Sequence, residues 1–82
     1  MMSALSANKI SEKIKNIFEQ TLGFPVENLD ENFFMLGGNS MQALEIINLL
    51  NNEFNANLTI MDFFERLTIS KMSQMMTSIM SA

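Results

Sequence analysis

Apolar residues along the chain fall into spaced groups, and for most of its length the spacing is helical. Ile10, Ile14, Ile17 and Phe18 recur at i, i+4, i+7 and i+8, which draws one apolar stripe on a helix. The pattern predicts a first helix from about Asn8 to Leu22, stopped by Gly23 and Pro25. From Gly23 to Asn39 no helical period survives. Only scattered apolar positions remain, at Val26, Leu29, Phe33, Phe34 and Leu36. So long a stretch in a small domain is expected to be packed down or functional, and these anchors predict that it packs down.

Gly37 and Gly38 close that stretch, and a second helix is predicted from about Ser40 to Glu53. At about 100° per residue, Ala43, Ile46, Ile47, Leu50 and Phe54 share a core-facing side. Glu45, Asn48, Asn51 and Asn52 lie opposite, and Met41 and Leu44 fall with them. Two exposed apolar residues beside one serine are more informative than any in the core. Further on, Thr59 and Asp62 match a capping box that opens a short turn of helix with Ile60, Phe63 and Phe64. Thr68 then caps a last helix with Ile69, Met72, Met76 and Ile79 as its stripe. The methionines from Met72 to Met80 read as ordinary core at this spacing. The competing reading is a Met-rich helical adaptor that binds an amphipathic peptide without a prosthetic group.

Composition narrows the chemistry. With 82 residues the chain makes one domain, 1–82, and its ends, about 1–7 and 81–82, are expected to be flexible. There is no Cys and no His, so neither a disulfide nor a zinc site can staple the core. The same absence removes any Ser-His or Cys-His nucleophile pair. The protein is therefore expected not to be an enzyme. Net charge is −4, with Glu27, Asp30, Glu31, Glu45, Glu53, Asp62 and Glu65 between Leu22 and Glu65 and no basic residue among them. Such a field disfavours nucleic acid and anionic membrane, and steers basic protein surfaces toward the middle of the chain. No apolar run approaches the ~20 residues that span a bilayer, and no leader pattern opens the sequence. A cytoplasmic monomer is expected.

Ser40 draws the remaining attention. Gly37 and Gly38 remove bulk and allow positive φ just before the helix, Asn39 is a good N-cap, and Gln42 stands where a capping-box partner belongs. With Asn39 as the cap, Ser40 takes the first helical position and its hydroxyl is left free, beside N–H groups that favour a phosphate. The chain has no base to activate Ser40. A second enzyme that brings its own base can modify it.

The segment from Phe33 to Met41, Phe-Phe-Met-Leu-Gly-Gly-Asn-Ser-Met, resembles the signature of peptidyl and acyl carrier proteins of nonribosomal peptide and polyketide assembly lines, the thiolation domains. Ala43, Phe54, the pair Phe64-Glu65 and Thr68 extend the resemblance along nearly the whole chain. It implies an all-α four-helix bundle with a short third helix and a long loop between helices 1 and 2. It also implies covalent 4'-phosphopantetheine on Ser40, transferred from coenzyme A by a phosphopantetheinyl transferase, with Gly38 and Asn39 supporting the attachment site. The arm would hold an aminoacyl or acyl group as a thioester. The implied partners are an adenylating or acyl-loading enzyme and downstream tailoring and condensing enzymes, met by a face at Met41, Leu44, Glu45 and Asn48. A free-standing carrier of one building block is the expected form. Departures from the family pattern are Asn39 in place of the Asp of fatty-acid carriers, Asn48, Asn51 and Asn52 diluting an acidic face, and Leu67 where many peptide carriers have Pro, expected to be a tolerated change.

Overall fold

The computed structural model describes residues 6–81, which form α1 (Ala7–Leu22), α2 (Ser40–Phe54), α3 (Ile60–Phe64) and α4 (Ile69–Ser81). No strand occurs among the described residues. Ser6 starts α1 slightly earlier than its apolar stripe, because its side chain accepts the Lys9 N–H at 3.2 Å. Ser6, Ala7 and Ser81 thus belong to the helices and their caps. The flexibility expected of 1–5 and 82 lies outside the described residues. Gly23 ends α1 at φ 90°, a left-handed conformation that suits glycine. Asn55 ends α2 in the same region, at φ 52°.

α1 packs against α2 and α4, and α2 against the short α3. The predicted core residues of α1 and α2 are all buried. In α4, Ile69, Met72 and Met76 are buried, and Met75 and Met80 pack partly against the core. The methionines of α4 therefore form a core edge and not an open groove for a peptide. Ile79 departs from the expected stripe and is exposed. Ile79 stands seven residues after the buried Met72, only about 20° from it around the helix, but in the last turn of α4, where Met80 is the residue that packs against the core.

Three phenylalanines from three elements meet at the centre. Phe18 of α1, Phe33 of the long loop and Phe63 of α3 are fully buried. Phe33 meets Phe18 edge-on at 5.8 Å and Phe63 edge-on at 5.0 Å between ring centroids. Such pairs add about 0.5–1.5 kcal/mol each beyond the area they bury. The loop is packed down, as its anchors predict, but Phe34 is not one of them. Phe33 points inward and its neighbour turns out, 39% exposed, with its ring 6.1 Å from that of Phe64.

Backbone bonds fasten the loop to both neighbours. The Phe33 N–H donates to the Leu67 carbonyl at 2.8 Å, and the Ser70 N–H donates to the Leu29 carbonyl at 3.0 Å. At the loop's start the Val26 N–H donates to the Glu19 carboxylate at 2.7 Å, which also pairs with Lys15 at 2.9 Å. The Lys15 bond first, and the Val26 N–H second, hold the Glu19 carboxyl below its ordinary pKa.

Leu67, at the position where many peptide carriers have Pro, takes a backbone conformation of its own. Its φ is +65° and its N–H donates to the Phe63 carbonyl at 2.9 Å. Proline is locked near −65° and has no N–H, so the residue common in peptide carriers is excluded by the backbone seen here. Leu67→Pro should destabilise the fold by about 3 kcal/mol or more in urea unfolding. A change within about 0.5 kcal/mol, typical of a neutral surface site, would contradict this geometry.

Candidate functional site

The approach to Ser40 is built from short-range bonds. The Asn32 side chain accepts the N–H groups of Phe34 at 2.8 Å and Met35 at 3.4 Å, turning the chain just after Phe33. Gly37 follows at φ +101°, where a side chain would be strained. Gly38 serves a different need. A β-carbon built there would penetrate the Phe33 ring, and that ring is fixed between Phe18 and Phe63. Its N–H donates to the Phe33 carbonyl at 3.1 Å. One glycine supplies the turn, the other the close approach.

Asn39 caps α2 as the sequence predicts. Its carboxamide oxygen accepts the Gln42 N–H at 2.9 Å, and its own N–H donates to the Gln42 side chain at 3.1 Å. Gln42 also donates from Nε2 to the Thr21 carbonyl at 3.3 Å. That bond ties the start of α2 to the end of α1, and the sequence offered no signal for it beyond the capping box.

Ser40 is therefore relieved of capping. It is exposed, and its hydroxyl has no hydrogen-bond partner among the described residues. The N–H groups of Ser40 and Met41 likewise meet no acceptor there. The first turn of α2 carries no acidic residue, so a phosphodiester at Ser40 would meet open space, free donors and no opposing carboxylate. The residues present fit a phosphopantetheine arm.

Beside Ser40, Met41 is 76% and Leu44 48% exposed, and Glu45, Asn48 and Asn52 share their open face. Asn51 does not. It turns aside, half-buried, and clamps the backbone of Leu58, accepting its N–H at 2.7 Å and donating to its carbonyl at 3.0 Å. Asn51 thus shapes the α2–α3 connection instead of diluting an acidic face. The acidic field is also partly spent internally. Glu53 pairs with Lys13 at 2.7 Å, and Arg66 lies 3.5 Å from Glu65 and 3.9 Å from Asp62. Sequence reasoning missed the exposed Phe34, Met35, Met61 and Phe64. The adjacent pair Phe33-Phe34 was a signal, since neighbouring side chains in a turn seldom face one core.

Known proteins resemble this chain in sequence and fold. The family described as "Phosphopantetheine attachment site" matches residues 12–76. Gramicidin S synthase 2 of Brevibacillus brevis is 36% identical over 66 residues, covering 80% of this chain and 2% of the synthase. The hybrid PKS-NRPS synthetase mycA of Thermothelomyces thermophilus is 42% identical over 55 residues, 67% of this chain and 1% of that synthetase. The chain thus spans a small part of the curated relatives it matches. Among solved structures, BlmI, a type-II acyl carrier protein from Streptomyces verticillus involved in bleomycin biosynthesis, superposes with a TM-score of 0.84 at 29% identity, covering 89% of this chain and 88% of BlmI. A chain from the complex of the phosphopantetheine transferase Sfp with coenzyme A and a peptidyl carrier protein gives 0.81 at 25% identity, covering 94% of this chain and 99% of that one. With the match running from α1 into α4 and enclosing the Gly-Gly-Asn-Ser junction, the chain belongs to the phosphopantetheine carrier proteins.

Proposed function

We propose that Ser40 is the attachment point of the 4'-phosphopantetheine arm, and that the chain carries an aminoacyl or acyl building block for a peptide or hybrid polyketide assembly line. The observation that carries this reading is the free, exposed hydroxyl of Ser40 at the first position of α2, with Asn39 and Gln42 meeting the helix's capping needs in its place. Gly38 and Asn39 support the site, one through its fit to Phe33 and the other as the cap. In the attachment step the Ser40 oxygen forms a bond to the pantetheine-bearing phosphorus of coenzyme A. The adenosine bisphosphate leaves, and the serine proton passes to a base on the transferase. The bound arm supplies a terminal thiol that holds cargo as a thioester.

The chain itself serves as substrate and carrier, not catalyst. It offers no His or Cys to act as base or nucleophile. The proposed partners are a phosphopantetheinyl transferase, an adenylating or acyl-loading enzyme, and downstream tailoring and condensing enzymes. They act on a monomer in the cytoplasm, where coenzyme A is at hand. Among the solved relatives, one is a phosphopantetheine transferase complex with a peptidyl carrier protein, which supports the first of these. Met41 and Leu44, with Glu45 and Asn48, form the proposed docking face. Since Glu53, Asp62 and Glu65 are engaged by Lys13 and Arg66, apolar contact outweighs close ion pairing there.

Two results test the assignment. Ser40→Ala should keep the wild-type unfolding midpoint, since Asn39 does the capping. Incubated with coenzyme A and a broad-specificity transferase, it should show no gain in intact mass, while the wild type gains one arm. Modification of the alanine variant at another serine would move the site. Separately, Met41→Ala and Leu44→Ala should change stability by no more than about 0.5 kcal/mol, as at ordinary surface positions. Both should slow loading by the cognate enzyme, mainly through faster dissociation in stopped-flow binding. Unchanged kinetics in both variants would remove these residues from the interface.

A further inference from the structure

The methionines differ widely in exposure, with Met75 and Met80 partly buried. Met35 is 78%, Met41 76% and Met61 58% exposed, whereas Met72 and Met76 are fully buried. The chain has no cysteine, so before any arm is attached its thioethers are its most readily oxidised groups. We infer that Met41 is a peroxide-sensitive site, and that its conversion to the sulfoxide turns off docking at Ser40 while leaving the bundle folded. The inference rests on the proposed role of Ser40 and adds a control over it.

The chemistry is a two-electron oxygen transfer from a hydroperoxide. A sulfur lone pair attacks one peroxide oxygen, the O–O bond breaks, and hydroxide departs. The proton on the transferred oxygen passes to that hydroxide, giving the sulfoxide and water. Sulfur is oxidised and the peroxide reduced, with no other reactant. The product replaces an apolar, flexible side chain with a strongly polar one.

Position decides the consequence. Met41 directly follows Ser40, and Leu44 lies on the same face three residues on. An enzyme that reaches the Ser40 hydroxyl has to cover Met41. Covering a thioether releases apolar surface from water, but covering a sulfoxide without a donor opposite leaves a desolvated acceptor unpaired. The core is less accessible. Met72 and Met76 of α4 are fully buried and Met75 and Met80 pack partly against the core, so mild oxidation should reach the outer set first.

The test uses the protein without its arm, so that no pantetheine thiol competes for oxidant. Purified wild type is treated with dilute hydrogen peroxide, the peroxide is removed, and oxidised positions are mapped by peptide mass. Oxygen should appear at Met35, Met41 and Met61 well before Met72 and Met76, with the thermal unfolding midpoint unchanged. Uptake of the arm from coenzyme A, followed by intact mass with untreated transferase, should then slow about fivefold, the scale of a single desolvated contact. In Met41→Leu, whatever basal rate that variant sets, the same treatment should leave the rate where it was. Equal uptake by wild type fully oxidised at Met41 would overturn the inference, as would an equal loss in Met41→Leu or a lowered midpoint. Untreated protein that takes up no arm at all would instead overturn the assignment of Ser40.

Discussion

Phe33 is fully buried although it belongs to a loop, and its ring is enclosed by Phe18, Phe63 and the backbone of Gly38. In a domain of this size a core can spare little, and the centre of this one is filled by three aromatic rings from three different elements. The same residue anchors the loop by its backbone. Its N–H reaches the Leu67 carbonyl, and its own carbonyl accepts the Gly38 N–H. Burying Phe33 therefore fixes the path of the chain through Gly37 and Gly38, and that path delivers Asn39 to the start of α2. The position of Ser40 is a consequence of core packing.

The arrangement separates two duties that a serine at a helix start would ordinarily combine. Asn39 and Gln42 meet the helix's need for caps, and Gln42 ties the cap to the end of α1. Ser40 is then rigid in its backbone and free in its hydroxyl, which suits covalent modification by an external enzyme. Around it the surface is apolar and amide-bearing more than charged. Several carboxylates that the sequence would assign to steering are paired with Lys13 or Arg66, or serve as a cap in the case of Asp62.

Much of this is legible in the sequence because short-range rules govern it. The stripes of α1 and α2, the cap at Asn39, the box at Thr59 and Asp62, and the exposure of Met41 and Leu44 all follow from periodicity and capping chemistry. What escaped depends on contacts between distant segments. Asn51 reads as one more polar residue on an open face until the α2–α3 connection folds back and presents the Leu58 backbone to it. Leu67 reads as a tolerated replacement for proline, and nothing in the local sequence announces its left-handed φ. Phe34 reads as an anchor, and only the inward commitment of Phe33 turns it out. The two glycines could be recognised as necessary, but not that one is needed for φ and the other for the ring beside it.

The long loop is part of the core, and amide hydrogen exchange tests that most directly. The Phe33 and Gly38 amides should exchange only when the whole domain unfolds, with the protection of core amides in α1 and α2, despite lying outside any helix. Exchange of these two amides at the rate of exposed loop positions, while the helices stay protected, would show that the loop opens independently. Ser40 would then not be held in place by Phe33.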